Sequence, residues 1–310
     1  MRGLKSRGWV VGVAAVVGLA GVVQLAAQLV LPKDGETMPT FEVATIRTSP
    51  EGGRMMRIQW QEDTYRTDNV ALRSVIRTAY NATSDAQIIG GPDALLGTHF
   101  DINAKADATV AAAMRKMSRD DSERERELML QSLLAERFHL KVHTETREQP
   151  VYALVVAKGG PKLKASAPEP ATPPDQPPPG PPPPGGPGRA RGVPRGMWTI
   201  RMSGTKVEMN GTDVTMDVLA TMLTNQPDAG GRVVVDKTGL TGKYDLNLSW
   251  TPTVGMAMRG MDDGTKAAGA DPDEPGLFTA VEEQLGLKLE AQKGAVQVVV
   301  IDHVEAPSAN

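Results

Sequence analysis

At 310 residues, with 40% apolar and 23% charged side chains and few aromatics, the chain has the composition of a soluble globular protein long enough for two ordinary domains. Without Arg2, Lys5 and Arg7 of the N-terminal segment, 31 basic residues face 37 acidic ones, a net of −6, which argues against a nucleic-acid partner. The absence of cysteine excludes disulfides, thiol nucleophiles and thiolate metal sites, so stability has to come from packing.

The three basic residues precede an uncharged apolar run, Trp9–Leu31. A basic flank stays in the cytoplasm and sends the rest of the chain across the membrane. The run is long enough to cross a hydrocarbon core of roughly 30 Å as an anchor. Leu25-Ala26-Ala27 equally offers a small-residue cleavage site. Residues 1–31 therefore read as a signal peptide or an N-terminal anchor, and the body as extracytoplasmic (periplasmic or secreted), in contact with the membrane only through residues 9–31.

A polar tether, 32–40, leads to Phe41–Arg47, which alternates apolar and polar residues as a half-buried strand does. Met56–Trp60 reads as a short strand, and Leu72, Val75, Ile76, Ala79 and Tyr80 share one face of a helix over Ala71–Tyr80. Gly90-Gly91-Pro92 turns the chain before a strand at Phe100–Ala104. Ser122-Glu123-Arg124-Glu125 fits a capping box for a helix whose apolar face carries Leu130, Leu133 and Leu134 and which ends at Arg137. Phe138–His143 alternates as a strand, a turn follows, and Val151–Ala157 is strongly β-prone. Ser166–Gly196 holds 13 of the 24 prolines and predicts an extended linker, spacer rather than docking motif.

After the linker the same text returns. Thr212 or Asp213 is placed to cap a helix bearing Met216, Leu219, Ala220 and Leu223. Strands at Arg232–Asp236 and Tyr244–Trp250, a Gly-rich insertion at Thr251–Pro275, a helix at Leu277–Leu285 and strands at Leu287–Glu290 and Val296–Ile301 complete it. The spacing from Asn69 to Phe100 equals that from Asp213 to Tyr244, and Phe138–Val142 aligns with Leu285–Leu289 without gaps. The reading is an internal duplication. Its fold class is α+β: two tandem related modules, 41–165 and 197–310, joined by the 166–196 linker. Each runs strand-helix-strand-strand-helix-strand-strand, with helices packed on small mixed sheets.

The segments FEVATIR, GGPDALLGTHFDINAKA, LLAERFHLKVHTETREQPVYALVVAKGGPKL and VVDKTGLTGKYDLNLSWTP, with the C-terminal QLGLKLEAQKGAVQVVVIDHVEAPSAN, resemble a bacterial family of soil-associated proteins. That family is built on a domain of unknown function that also occurs attached to β-lactam-sensor-type membrane metallopeptidases. The chain lacks their His-Glu-x-x-His motif, so the resemblance implies no peptidase activity and supplies no catalytic residue. Each half also loosely resembles the short N-terminal module of secretins and TonB-dependent receptors, which implies protein–protein contacts in the periplasm.

Residue by residue, no catalytic or metal-binding set is expected, and no cofactor. His139 and His143, placed four apart in a strand, would be about 13 Å from each other, too far to share a metal. His99 and His303 lack a carboxylate-rich setting. No nucleophile elbow or phosphate-binding loop is present. Asp101 and Asp245 occupy equivalent positions and are expected to bond turn amides. In Asp236-Lys237-Thr238-Gly239-Leu240-Thr241-Gly242, Gly239 and Gly242 are expected to supply positive φ and Asp236 or Thr238 to pin the turn. The same turn, with Asp236, Lys237, Thr238, Gly239, Tyr244 and Asp245, is the candidate binding site. The function is thus read as non-enzymatic binding to another envelope protein or envelope component. The alternatives are a secreted hydrolase using Asp101, Asp236 and Asp245, or a sensor domain detached from a membrane peptidase.

Overall fold

The computed structural model describes residues 29–33, 35–50, 56–61, 63–167, 196–252 and 275–307. The apolar run up to residue 28, nearly all of the proline-rich linker and most of the second insertion lie outside the described residues.

In the first half, strands β1 (Phe41–Thr48), β2 (Arg57–Gln61) and β3 (Thr64–Ala71) lead into helix α1 (Leu72–Ala79). Strand β4 (Ile88–Gly90), helix α2 (Asp93–Leu96), strand β5 (His99–Ala106), helices α3 (Ala108–Met114) and α4 (Arg119–Arg137) and strands β6 (Lys141–Val156) and β7 (Lys164–Ala165) follow. The second half has β8 (Met197–Ser203), β9 (Lys206–Val214), α5 (Met216–Thr224), β10 (Val234–Asp236), β11 (Tyr244–Trp250), α6 (Leu277–Leu285) and β12 (Leu287–His303). The class is α+β, as expected.

Three four-stranded sheets result, ordered β1-β5-β3-β2, β10-β6-β12-β4 and β7-β11-β9-β8. The first and third have the same plan, each with a two-residue hairpin and an antiparallel centre. The middle sheet departs from the expectation that each module keeps its strands in sheets of its own, because it takes two strands from each half. β6 and β12 run antiparallel along nearly their whole length, from Leu287 opposite Val156 to His303 opposite Lys141. The short strand of each half then joins the long strand of the other. Val234 of β10 pairs in parallel with Tyr152 of β6, and Ile88 of β4 with Val299 of β12.

Packing explains why the long strands do not break. A turn was expected after His143 and a gap between Glu290 and Val296, yet both strands continue. One end of β6 half-buries Val142, just after the buried Leu140, in the first core, while its other end buries Leu154 in the second. β12 does the reverse, with Leu287 and Leu289 in the second core and Val299 and Ile301 in the first. The polar middles, such as Glu145–Gln149, keep their backbone ladder because each strand supplies the other's partners. A smaller cluster of Val151, Val233, Val235, Val296 and Val298 fills the seam.

Helix starts shift accordingly. Thr212 and Asp213 belong to β9, and Thr215 caps α5 by accepting the amide of Val218. α4 opens at Ser118, whose hydroxyl accepts from the Asp121 amide, ahead of the Ser122 box. His139 is not in a strand but sits in the left-handed region at φ 50°, so the strand spacing assumed for the His139/His143 pair does not apply. The tether is held to the body as well. Arg124 makes a bidentate contact with Glu36, at 2.8 and 2.9 Å, and holds its carboxyl near pKa 2. Leu29 is buried in the first core, and Val30 hydrogen-bonds Tyr80 and Gln131.

Candidate functional site

The two sheet corners that carry Asp101 and Asp245 are wired alike. In the first, the β3–β5 register slips between Thr67 and Val70, and Asn69 adopts φ 54°. Its amide donates to Asp101 Oδ1 at 2.7 Å, and Ser49 Oγ donates to the same oxygen at 2.6 Å. In the second, the β9–β11 register slips in the same place and Asp213 adopts φ 60°. The Asp213 amide reaches Asp245 Oδ1 at 3.1 Å, and Ser166 Oγ reaches it at 2.6 Å. A carboxylate is what the corner needs, because it accepts from a backbone N–H and a hydroxyl at once. Neither serine stands out in sequence; each lies far along the chain, on the segment beside β5 or β11.

The candidate turn leaves β10 beside β6, with the Lys237 amide on Leu154 O at 2.9 Å. Asp236 Oδ1 accepts the Thr238 amide at 2.8 Å, and Thr238 Oγ1 accepts the Leu240 amide at 3.1 Å, so two successive side-chain turns shape the loop. Gly239 has φ 70°, as expected. Gly242 does not have the expected positive φ: its value lies in close approach, since a Cβ there would come within 2.9 Å of the Tyr244 hydroxyl. Leu240 and Tyr244 pack on the second core, while Lys237, Gly239, Thr241, Gly242 and Lys243 are exposed or nearly so. Lys243 Nζ is 3.2 Å from Asp213. The turn is thus pinned by its own side chains and opens on the exposed Lys237, beside the end of β10.

Asp217, which sequence reasoning passed over, stands in the first turn of α5. Burial, and then the charge of Asp236, push its carboxyl above the usual range. The matching position in the first half is Arg73, which instead donates to Ile88 O and pairs with Asp93. An acid in the first turn behind a Thr cap was the available signal, shared by many ordinary helices.

Asp101, Asp236 and Asp245 lie in three different sheets and are not brought together. His143 bridges Asp302 at 2.9 Å and Glu145 at 3.1 Å, which raise its pKa in that order of effect; His303 contacts Glu305. Among the described residues no three His, Asp or Glu side chains are grouped as a metal site would need. An open groove of about 460 Å³ runs between the Ala157–Lys162 turn and α6, lined by Lys158, Lys162, Phe278, Glu282 and Lys288.

No curated protein and no solved structure matches the chain. A family model described as "Protein of unknown function (DUF3738)" matches residues 73–304, which takes in most of α1, strands of all three sheets and the candidate turn. The chain belongs to that family.

Proposed function

We propose that the protein is a non-enzymatic, extracytoplasmic binding protein of the bacterial envelope, built by doubling one α+β unit, and that the Asp236–Tyr244 rim is its contact surface. The observation that carries this reading is the commitment of Asp101 and Asp245 to the amides and serines of their own corners. Carboxylates already spent on backbone geometry in two sheets are poor candidates for acid–base work. The preformed rim, pinned by its own side chains and with Lys237 outward, costs little ordering on binding. The resemblance of each half to the secretin and TonB-receptor module supports a protein partner. The soil-associated family and its peptidase-linked relatives keep a detached sensor as the second reading.

Export is part of the proposal. Leu29–Leu31, the end of the predicted apolar run, pack on Tyr80, Gln131 and Arg124 of the body. An uncleaved span would bring that body against the headgroups with no spacer, which favours cleavage after Ala27. Intact mass of the exported protein should give Gln28 as the first residue; a chain still beginning at Met1 would contradict cleavage. For the binding surface, the test is a pull-down from envelope extracts with wild-type protein and with Lys237→Glu. A partner retained by the wild type and lost by the variant is expected. Recovery of no partner, or equal recovery by both, contradicts the assignment.

A further inference from the structure

β8 ends its sheet, and the side chains it shows to solvent are unusual for such a place. Met197, Trp198, Ile200 and Met202 are each 38–57% exposed. Trp198, Ile200 and Met202 stand opposite Gly211, Met209 and Val207 of β9, so they continue the core face of the sheet past its covering helices. The backbone of the same three residues is the open one. Gln284 caps Ser249 of β11 through both its amide and its carbonyl, which turns Glu208, the cross-strand neighbour of Ser249, toward β8. Glu208 pairs with Arg201, so Arg201 faces β9, and Trp198, Ile200 and Met202 aim their N–H and C=O groups outward. The two-residue hairpin at Gly204-Thr205 requires the same parity.

Among the described residues the other edges are shorter, plugged or partly covered, although Ile58 of β2 is also 37% exposed. Arg137 donates to Ala44 O on β1, and Gln284 plugs β11. β4 and β10 have three residues each. On β2, the counterpart of β8, Trp60 lies under Arg126, at 5.3 Å, and stacks with Phe41 at 5.9 Å. β8 carries no Lys, Pro or bulge of the kind that protects an edge.

We infer that β8 pairs antiparallel with β8 of a second copy, about a two-fold axis at Ile200. The strand is self-complementary in that register: Ile200 meets Ile200, and Trp198 meets Met202 on both sides of the axis. Arg201, the one charge in the strand, meets Thr199 of the second copy and keeps Glu208 of its own chain as its cross-strand neighbour, so no like charges oppose. Both sheets then continue as one of eight strands, and the pairing is isologous and closed. Seven residues span about 23 Å of edge, less than the roughly 800 Å² per partner of a standard interface requires, so association is weak and concentration-dependent. The inference is independent of which partner the Lys237 rim takes.

Because the chain has no cysteine, a single one reports its own position. Opposed residues in such a pair sit about 5.5 Å apart at Cα, within disulfide range. Full-chain Ile200→Cys exported to an oxidising compartment should form a disulfide-linked dimer, at least fivefold more than Lys237→Cys on the exposed turn. Equal cross-linking of the two, or none, overturns the pairing. Ile200→Lys should abolish the concentration-dependent dimer of the otherwise unaltered full chain without shifting its denaturation midpoint. A wild-type chain that stays monomeric at hundreds of micromolar also overturns it. Lys237-dependent recovery of an envelope partner is expected to survive Ile200→Lys, so the two assignments fail separately.

Discussion

The two halves agree at their corners and differ along their rims. Both corners use an aspartate, a serine and a left-handed residue at matching positions, although the left-handed residue is Asn69 in one and Asp213 in the other. Away from the corners the chemistry diverges. Arg73 ties α1 to β4 and α2, whereas Asp217 feels the charge of Asp236, and the loop after β10 has no helix to match α2. Trp60 is covered, whereas its counterpart Ile200 is bare. Shape recurs between the halves, while their exposed rims differ.

The largest expected break in this comparison is at the helix-to-strand corner after α4 and α6. His139 and Gly286 hold corresponding places, both with positive φ, yet Gly286 lies against Gly160 O, which a Cβ would overlap. Gly286→Ala should cost about 3 kcal/mol, from left-handed strain plus displaced backbone. His139→Gly should change stability by less than about 1 kcal/mol, since the position already accommodates a Cβ. Urea denaturation of both variants checks the asymmetry.

Next come the matched carboxylates. Asp101→Ala and Asp245→Ala should each lose about 2 kcal/mol, the worth of a partly buried charged hydrogen-bond pair, and by similar amounts. A large difference between them would mean that the corners are not equivalent.

Glu127 on α4 gives a smaller, pH-dependent effect. Burial, then the neighbouring Glu123, raise its carboxyl to about 7. A raised folded pKa means that the protonated form stabilises the fold. Its contribution is present below the unfolded value near 4.5 and is lost as pH climbs through 7. Glu127→Gln should therefore help little at pH 4 and by about 1 kcal/mol at pH 8, allowing for solvent screening. Denaturation midpoints at the two pH values measure it.

His143 sets the lower end of the scale. Its pKa is raised by Asp302 and Glu145, so its contribution is present below the unfolded value near 6.5 and fades as pH rises through the folded one. It is exposed to solvent, and His143→Ala should leave the midpoint at pH 7.5 unchanged.

Much of this plan was legible. Alternation located β1, the 3.6-residue spacing located α1 and α5, the segments read as β2 and α6 are a strand and a helix, and Tyr244–Trp250 is a strand from end to end. The pinning of the turn by Asp236 and Thr238 followed from the small side chains there. Long-range pairing was not legible. A polar stretch such as Glu145–Gln149 reads locally as a turn, and only β12, some 150 residues away, supplies the ladder that keeps it extended. Ser49 and Ser166 were invisible for the same reason: a hydroxyl opposite a carboxylate has no local period. The bare face of β8 could be read as apolar, but not as uncovered, since cover is a property of the helices above it.

The central claim is that the halves interlock through the middle sheet and unfold as one body. Trp60 sits beside the first core and Trp250 in the second, so urea unfolding can be followed from either side. In two variants of the full chain, both with Trp9 and Trp198 replaced by Phe and each keeping only one of these two tryptophans, fluorescence and far-UV circular dichroism should give a single coincident transition. A fluorescence midpoint separated from the dichroism midpoint in either variant, or a biphasic dichroism curve, would show two independent modules and contradict the interlock.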